Sequence, residues 1–259
     1  MAQEKATGLG SFDLIFNKSV PHILENIFSL LDYDSFIACH SVCQVWNNLL
    51  SVEPYQKLLK AKKDNKQKLF TASAMGYLDE IKYLISKRVD INCTHDGGFK
   101  STPINYAAMH CSNEVVQLLL TEGADPNKTN ENGNSPLHYA ALCGYINMAK
   151  VLIEGGSDPK IANKWGATPL HNAAKHGYNN MVELLLNAGS DPNIANKSGK
   201  IPLHQAAKRG RKRVVQLLLE RGAEPNRLDC FGNSPLTYSA MSGCEDIVQL
   251  LHDAGAKQK

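Results

Sequence analysis

Residues 134–141 read NSPLHYAA, and versions of this stretch recur along the chain at a fixed interval. The recurrences are STPINYAA at 101–108, ATPLHNAA at 167–174, KIPLHQAA at 200–207 and NSPLTYSA at 233–240. Successive prolines in these stretches are 33 residues apart. A constant period of this size is typical of repeat proteins, in which similar small units stack along one axis and bury a continuous core between them.

Each recurrence predicts the start of a short helix, because proline in the first helical turn removes no hydrogen bond and presets the backbone angle. Residues with hydroxyl side chains, which are good N-caps, precede four of the prolines: Thr102, Ser135, Thr168 and Ser234. An apolar block follows each stretch, such as VVQLLL at 115–120, and predicts the buried face of a second helix. A glycine then ends each second helix in a conformation that other residues rarely adopt; these are Gly123, Gly156, Gly189, Gly222 and Gly255.

The period, the T/S-P-L-H start and the turn EGADPN at 122–127 resemble the ankyrin repeat over residues 98–259. A unit at 69–97 lacks the T-P-L-H start and has Phe70 in the histidine position, as a terminal capping repeat would. We therefore expect an all-α solenoid of about six helix–turn–helix units with β-hairpin-like loops. The predicted units are 69–97, 98–130, 131–163, 164–196, 197–229 and 230–259.

The first 66 residues lack this period, and their apolar spacing predicts three short helices. Val20-Pro21, Ile27-Phe28-Ser29-x-Leu31-Asp32, Phe36 and Val42-Cys43-x-x-Trp46 resemble an F-box. We divide this part into a tail at 1–19, the F-box at 20–60 and a lysine-rich linker at 61–68. The resemblance implies docking onto the Skp-type adaptor, and through it the cullin, of a ubiquitin ligase. The residues that it implies for adaptor binding are Pro21, Leu24, Ile27, Phe28, Leu31, Phe36, Val42, Cys43 and Trp46.

In ankyrin-repeat proteins the partner binds the concave face, which the loop tips and the ends of the first helices form. Carried onto this sequence, the resemblance implies Lys164, Trp165, Lys175, His176, Lys197, Lys200, Lys208, Arg209, Phe231 and Met241 as target-binding residues. Between residues 196 and 228 there are nine Lys or Arg and two Glu, whereas the net charge of the whole chain is only +3. An acidic or phosphorylated peptide would suit such a local excess of positive charge, although a merely solvated basic face is the alternative.

Part of this charge, Arg211, Lys212 and Arg213, falls at the start of a predicted second helix. Cations there oppose the helix dipole, so we expect them to serve something other than stability. A nucleic-acid-binding role for the basic repeat is a less favoured alternative. It predicts strongly salt-dependent binding to DNA or RNA.

The sequence contains no catalytic motif, and the histidines at 138, 171 and 204 recur once per repeat, which predicts structural hydrogen bonds rather than metal ligation. We therefore predict no enzyme activity, no catalytic residues, no metal and no cofactor. Seven cysteines without a C-x-x-C pair favour a reducing compartment. No apolar run long enough for a membrane span and no secretory signal are evident. We expect a protein without membrane association in the cytoplasm, the nucleus or both.

Two functions fit the sequence. In the first, the chain is the substrate-recognition subunit of an SCF-type cullin–RING ubiquitin ligase, with the F-box on the adaptor and the ankyrin face on the target protein. In the second, the chain is an ankyrin scaffold or inhibitor, and the N-terminal helices only cap the stack. Binding to the adaptor distinguishes the two.

Overall fold

The computed structural model describes residues 65–95, 97 and 99–257. These residues belong to one compact unit that spans Asn65–Lys259, and they form twelve helices and no β-strand. The predicted F-box at 20–60 lies outside the described residues. The helices are α1 Asn65–Met75, α2 Leu78–Ser86, α3 Pro103–Met109, α4 Asn113–Thr121, α5 Pro136–Cys143, α6 Ile146–Glu154, α7 Pro169–His176, α8 Asn179–Asn187, α9 Pro202–Lys208, α10 Lys212–Glu220, α11 Pro235–Met241 and α12 Glu245–Asp253.

The predicted helix signals are confirmed. From α3 onward every first helix begins at its repeat's proline, and the residue before it is the N-cap. The glycines after the second helices have φ between 82° and 90°, in the left-handed region that favours glycine. Helix α1 already begins at Asn65, so it includes residues 65–68 of the predicted linker.

The repeating histidines are buried and tie neighbouring repeats together. The backbone N–H of Ser135 donates to Nδ1 of His138 at 3.1 Å, and Nε2 of His138 lies 3.0 Å from the carbonyl oxygen of Ala167 in the next repeat. Because an amide can only donate, Nδ1 is the acceptor and Nε2 carries the proton. His171 and His204 repeat the arrangement with the carbonyls of Lys200 and Asn233.

The core runs continuously through the stack. Leucines of the first helices, such as Leu137 and Leu170, and residues of the second helices, such as Leu152 and Leu185, are fully buried. The first helices contact each other more extensively than the second helices do. This arrangement is typical of a stack that curves with its first helices on the inner side.

The loops between repeats are tight turns, and none of those that the structure describes contains the strands of a true β-hairpin. At the base of one turn the backbone N–H of Asn163 donates to the carbonyl of Ala167 at 2.9 Å. The side-chain oxygen of Asn163 accepts from the N–H groups of Trp165 and Ala167, each at 3.0 Å. Asn130, Asn196 and Asp229 close three further tips in the same way.

A second ladder of asparagines links the turns after the second helices. Asn127 donates to the carbonyl of Gly156 at 3.0 Å and accepts from the N–H of Asp158 at 2.7 Å. Asn92, Asn193 and Asn226 make the same pair of bonds to the repeat that follows each of them. The corresponding residue of the remaining turn is Lys160, which cannot make this pair of bonds because its side chain has no acceptor.

Candidate functional site

The residues predicted for target binding lie on the surface of the stack, and we call this set the binding face. The large apolar members are strongly exposed, with 57% of Trp165, 74% of Phe231 and 74% of Met241 accessible to solvent. Three members, Lys175, His176 and Lys200, are half-buried. The other members are exposed: Lys164, Lys197, Lys208 and Arg209.

The loop tips of the binding face form one connected row. The backbone N–H of Lys197 donates to the carbonyl of Trp165 at 2.9 Å, and that of Cys230 donates to Ser198 at 3.0 Å. The tips approach so closely that a Cβ on Gly199 would lie 2.8 Å from the nitrogen of Cys230. Glycine is required there for this contact and for a φ of 75°. The tip side chains are therefore held on a row of backbone hydrogen bonds.

At the last repeat, two lysines converge on one tyrosine ring. Nζ of Lys200 lies 4.8 Å from the ring centroid of Tyr238, and Nζ of Lys208 lies 5.5 Å from the same centroid. Lys200 is also 5.8 Å from the ring centroid of Phe231. These distances are in the range of cation–π contacts. The structure thus brings together three residues that the sequence predicted separately: Phe231 at a tip, Lys200 at the base of a tip and Lys208 at the end of a helix.

The carboxylate of Asp229 lies beneath this cluster. It accepts a hydrogen bond of 2.7 Å from the hydroxyl of Tyr238 and lies 3.7 Å from Nζ of Lys200. Burial favours the neutral carboxyl, but the bonds from Tyr238 and from the N–H groups of Asn233 and Phe231, with the charge of Lys200, outweigh it and lower the pKa of Asp229. Asp229 is therefore ionised at neutral pH, and its side chain is fully buried.

One repeat earlier, the side chain of His176 lies among positively charged residues. Burial lowers the pKa of His176, and the positive charges of Lys175, Arg211 and Arg209 lower it further. The ring of His176 stacks on Tyr178 at 5.8 Å between centroids, and its buried Nε2 has no hydrogen-bond partner among the described residues. His176 is therefore largely neutral at pH 7 and lies among three cations.

Of the cations at the start of α10, Lys212 and Arg213 pair with carboxylates, whereas Arg211 lies against the binding face. These ion pairs are exposed and contribute little to stability, so a role other than stability for these cations stays a prediction. Lys212 pairs with Asp246 of the next repeat at 2.8 Å, Arg213 lies 3.8 Å from Glu220, and Arg211 donates to the carbonyl of Lys175 at 3.5 Å. By contrast, no described carboxylate is paired with the lysines at 164, 175, 197 and 208 or with Arg209. Five cations of the binding face are therefore without a described carboxylate partner.

Sequence reasoning missed Tyr238 and Asp229. Both positions have a repeating counterpart that could have indicated them, because Asn130 and Tyr139 hold the same places three repeats earlier and are joined at 2.7 Å. The change from Asn to Asp is what adds a charge at the last tip.

Other kinds of site have little basis in the described part of the chain. Among the residues that the structure describes, no group of three or more His, Cys, Asp or Glu side chains could hold a metal ion. No helix in that part has both the length and the apolar character that a membrane span needs. The nine predicted adaptor-binding residues, from Pro21 to Trp46, lie outside the described residues, so adaptor docking stays a prediction.

Comparisons with known proteins agree with this architecture. The family described as "Ankyrin repeats (3 copies)" matches residues 69–163, 104–196, 152–229 and 170–259. A crystal structure of an ankyrin repeat domain from Acinetobacter baumannii AYE is similar with a TM-score of 0.69 and 31% identity, over 74% of this chain and 100% of that domain.

Two curated relatives match over short stretches. The E3 ubiquitin-protein ligase hecd-1 of Caenorhabditis elegans is 39% identical over 64 residues, and the palmitoyltransferase AKR1 of Lachancea kluyveri is 40% identical over 65 residues. Each match covers 25% of this chain but only 2% and 9% of the respective relatives. The family matches together extend from residue 69 to 259, and the chain belongs to the ankyrin-repeat family.

Proposed function

We propose that this chain is the substrate-recognition subunit of an SCF-type cullin–RING ubiquitin ligase. In this proposal the binding face of the ankyrin stack holds an acidic or phosphorylated target protein, while residues 20–60 dock the Skp-type adaptor. Ankyrin repeats are protein-binding modules that use extended inner surfaces. The chain itself would catalyse no bond formation, because its contribution is to hold the target near the ligase.

One observation carries the target-binding half of the proposal. Lys175, Lys208 and Arg209 have no described carboxylate partner. Lys208 shares the ring of Tyr238 with Lys200, which lies 5.8 Å from the ring centroid of the exposed Phe231. Exposed aromatic residues and arginines are typical anchors of protein interfaces. Uncompensated cations beside them favour a partner with negative charge.

The adaptor-binding half rests on the F-box-like residues, above all Val42-Cys43-x-x-Trp46. One relative is named an E3 ubiquitin-protein ligase, but this chain matches only 2% of it, so its name adds no support for a ligase role. The second candidate function, an ankyrin scaffold or inhibitor, needs only the binding face and makes no use of an adaptor.

Co-purification of the full chain with a Skp-type adaptor separates the two functions. We expect the double variant Phe28→Ala/Trp46→Ala to lose the adaptor, because two large aromatic anchors of the F-box-like segment are removed. The matched control Trp165→Ala/Phe231→Ala removes two aromatic residues from the binding face and should retain the adaptor. Circular dichroism should show folded repeats in both variants. Adaptor binding that is equal in the wild type and the first variant would reject the ligase function and leave the scaffold.

A further inference from the structure

The lysine pair at Tyr238 carries more positive charge than its surroundings neutralise. Two ammonium groups lie within 4.8 and 5.5 Å of one ring centroid, and the nearby carboxylate of Asp229 pairs with only one of them, Lys200. That carboxylate already accepts bonds from Tyr238, Phe231 and Asn233 and is fully buried. Lys208 is therefore left exposed without a described counter-ion. We call Lys200, Lys208 and Tyr238 the first anion subsite.

The cations around His176 form a comparable group one repeat earlier. Lys175 and His176 end α7, which packs against α9, and Arg209 holds the position after α9 that is equivalent to His176, one step along the stack. Nε2 of His176 has no hydrogen-bond partner among the described residues, and Arg211 donates to the carbonyl of Lys175 at 3.5 Å. No described carboxylate pairs with either Lys175 or Arg209. An anion placed there would offset the mutual repulsion of these charges. We call Lys175, His176 and Arg209 the second anion subsite.

The two subsites are separated by one step of the stack. The second subsite joins the end of α7 to the residue after α9, and the first joins α9 to α11. Packed helices lie about 8–10 Å apart. An extended peptide advances about 3.3 Å per residue, so one step corresponds to about three residues of such a peptide.

The apolar part of the face lies next to the first subsite. The ring of Phe231 is 74% exposed and lies 5.8 Å from Nζ of Lys200, on the side of the loop tips. Met241, which is also 74% exposed, holds the position near the end of the first helix that Lys175 and Lys208 hold in the two preceding repeats. A ligand that reaches the first subsite therefore has apolar surface within reach of its neighbouring side chains.

We propose that the binding face recognises an extended protein segment with two anionic side chains about three residues apart, one for each subsite, and an apolar side chain beside the one that binds Lys208. The recognised group is an anionic oxygen, which glutamate, aspartate and phosphoserine all provide. This inference rests on the proposed function, because it takes the binding face to be a protein-binding surface.

The experiment measures binding of labelled peptides to the full chain by fluorescence anisotropy. Peptides of identical composition carry two glutamates that are adjacent, about three residues apart or about six residues apart. In one series a leucine lies next to the C-terminal glutamate, and in a second series it lies next to the N-terminal glutamate. A parallel series carries phosphoserine and distinguishes phosphate from carboxylate. An uncharged peptide and a single-stranded oligonucleotide complete the set. The variants are Lys208→Gln, Arg209→Gln and Phe231→Ala, with Lys150→Gln as a control that removes an exposed lysine from α6.

We expect the spacing of about three residues to bind most tightly in at least one series. Lys208→Gln and Arg209→Gln should each weaken that peptide about tenfold, and Lys150→Gln should leave its affinity unchanged. The inference would be wrong if affinity were equal at every spacing or if Lys150→Gln weakened binding as much as the face variants do. It would also be wrong if no anionic peptide bound or if the oligonucleotide bound more tightly. The inference would also be wrong if the uncharged peptide bound to the wild type and Phe231→Ala abolished that binding. This result would still support the proposed function, because the binding face would then bind protein segments through its apolar residues.

Discussion

The hydroxyl of Tyr238 donates a 2.7 Å hydrogen bond to the carboxylate of Asp229 at the base of the last loop tip. The equivalent pair three repeats earlier has the opposite polarity, because the amide nitrogen of Asn130 lies 2.7 Å from the hydroxyl of Tyr139 and must be the donor. The bonds that close the tip are the same in both repeats, so the carboxylate is not needed for tip geometry. Its effect is to place a negative charge beneath Lys200.

This comparison predicts different outcomes for two substitutions of Asp229. Asp229→Asn should change the free energy of unfolding by less than about 1 kcal/mol, because asparagine closes the other tips with the same two backbone bonds. Asp229→Ala should cost about 1–3 kcal/mol, since it leaves buried donors unsatisfied. Denaturant unfolding measures both. Asp229→Asn should also tighten the binding of anionic peptides, because it frees Lys200 from its partner; weaker binding in this variant would contradict the role assigned to Asp229.

Acid should destabilise the stack through its buried histidines. Burial lowers the pKa of His138 and of His171 from 6.5 to about 4. Below pH 6.5 the unfolded chain therefore binds more protons than the folded chain, so stability is complete above that pH and is lost as the pH falls toward 4. Each such histidine changes the free energy of unfolding by about 1.4 kcal/mol per pH unit in this window. Denaturant titrations at several pH values between 4 and 7 should show this slope.

The chain offers a matched control for the histidine prediction. Asn105 stands in the histidine position of its repeat, accepts from the N–H of Thr102 at 3.0 Å and donates to the carbonyl of Lys128 at 3.3 Å. The double variant His138→Asn/His171→Asn should therefore retain the bond from the N-cap N–H, exchange the bond to the next repeat for one within its own repeat, and lose the titration. If its unfolding free energy depends on pH as steeply as that of the wild type, the acid sensitivity has another origin.

Lys160 marks a gap in the asparagine ladder, and filling the gap should stabilise the protein. Lys160→Asn would place a side chain where Asn127 and Asn193 each make two bonds to the following repeat. Exposed hydrogen bonds contribute little each, so we expect a gain of about 1 kcal/mol. Lys160→Gln removes the same charge but is one methylene longer, and it should give no gain. Equal denaturation midpoints for the asparagine variant and the wild type would show that these bonds add nothing here.

The contact between neighbouring tips can be isolated with two glycine substitutions. Gly199 and Gly232 both have φ of 75°, but a Cβ on Gly199 would meet the backbone of the next tip at 2.8 Å, whereas one on Gly232 would meet nothing within 4 Å. Gly232→Ala should therefore cost about 1 kcal/mol from backbone strain alone. Gly199→Ala should cost more and should also weaken partner binding, because the tips that carry Trp165 and Phe231 are displaced. Equal losses of stability in thermal unfolding would argue against a close tip contact.

The sequence predicted the periodic part of the structure well. Proline fixes the start of each first helix, and glycine fixes the turn after each second helix, because these residues restrict or permit backbone angles locally. The charge pattern was predicted less well. Lys212 and Asp246 are 34 residues apart and meet only because the repeats stack, so the sequence alone made the cations of α10 look uncompensated. The convergence of Lys200 and Lys208 on Tyr238 was not predicted for the same reason, since the three residues come from different repeats.

The decisive measurement is photo-crosslinking of the full chain to its partner from three single positions. A photoreactive residue at Phe231 or Trp165 lies on the binding face, and one at Glu183 lies on the exposed side of α8. We predict that both face positions crosslink the same partner protein, that Lys208→Glu/Arg209→Glu abolishes these crosslinks, and that Glu183 does not crosslink it. A partner captured from Glu183 and from neither face position would contradict the assignment of this face as the protein-binding surface.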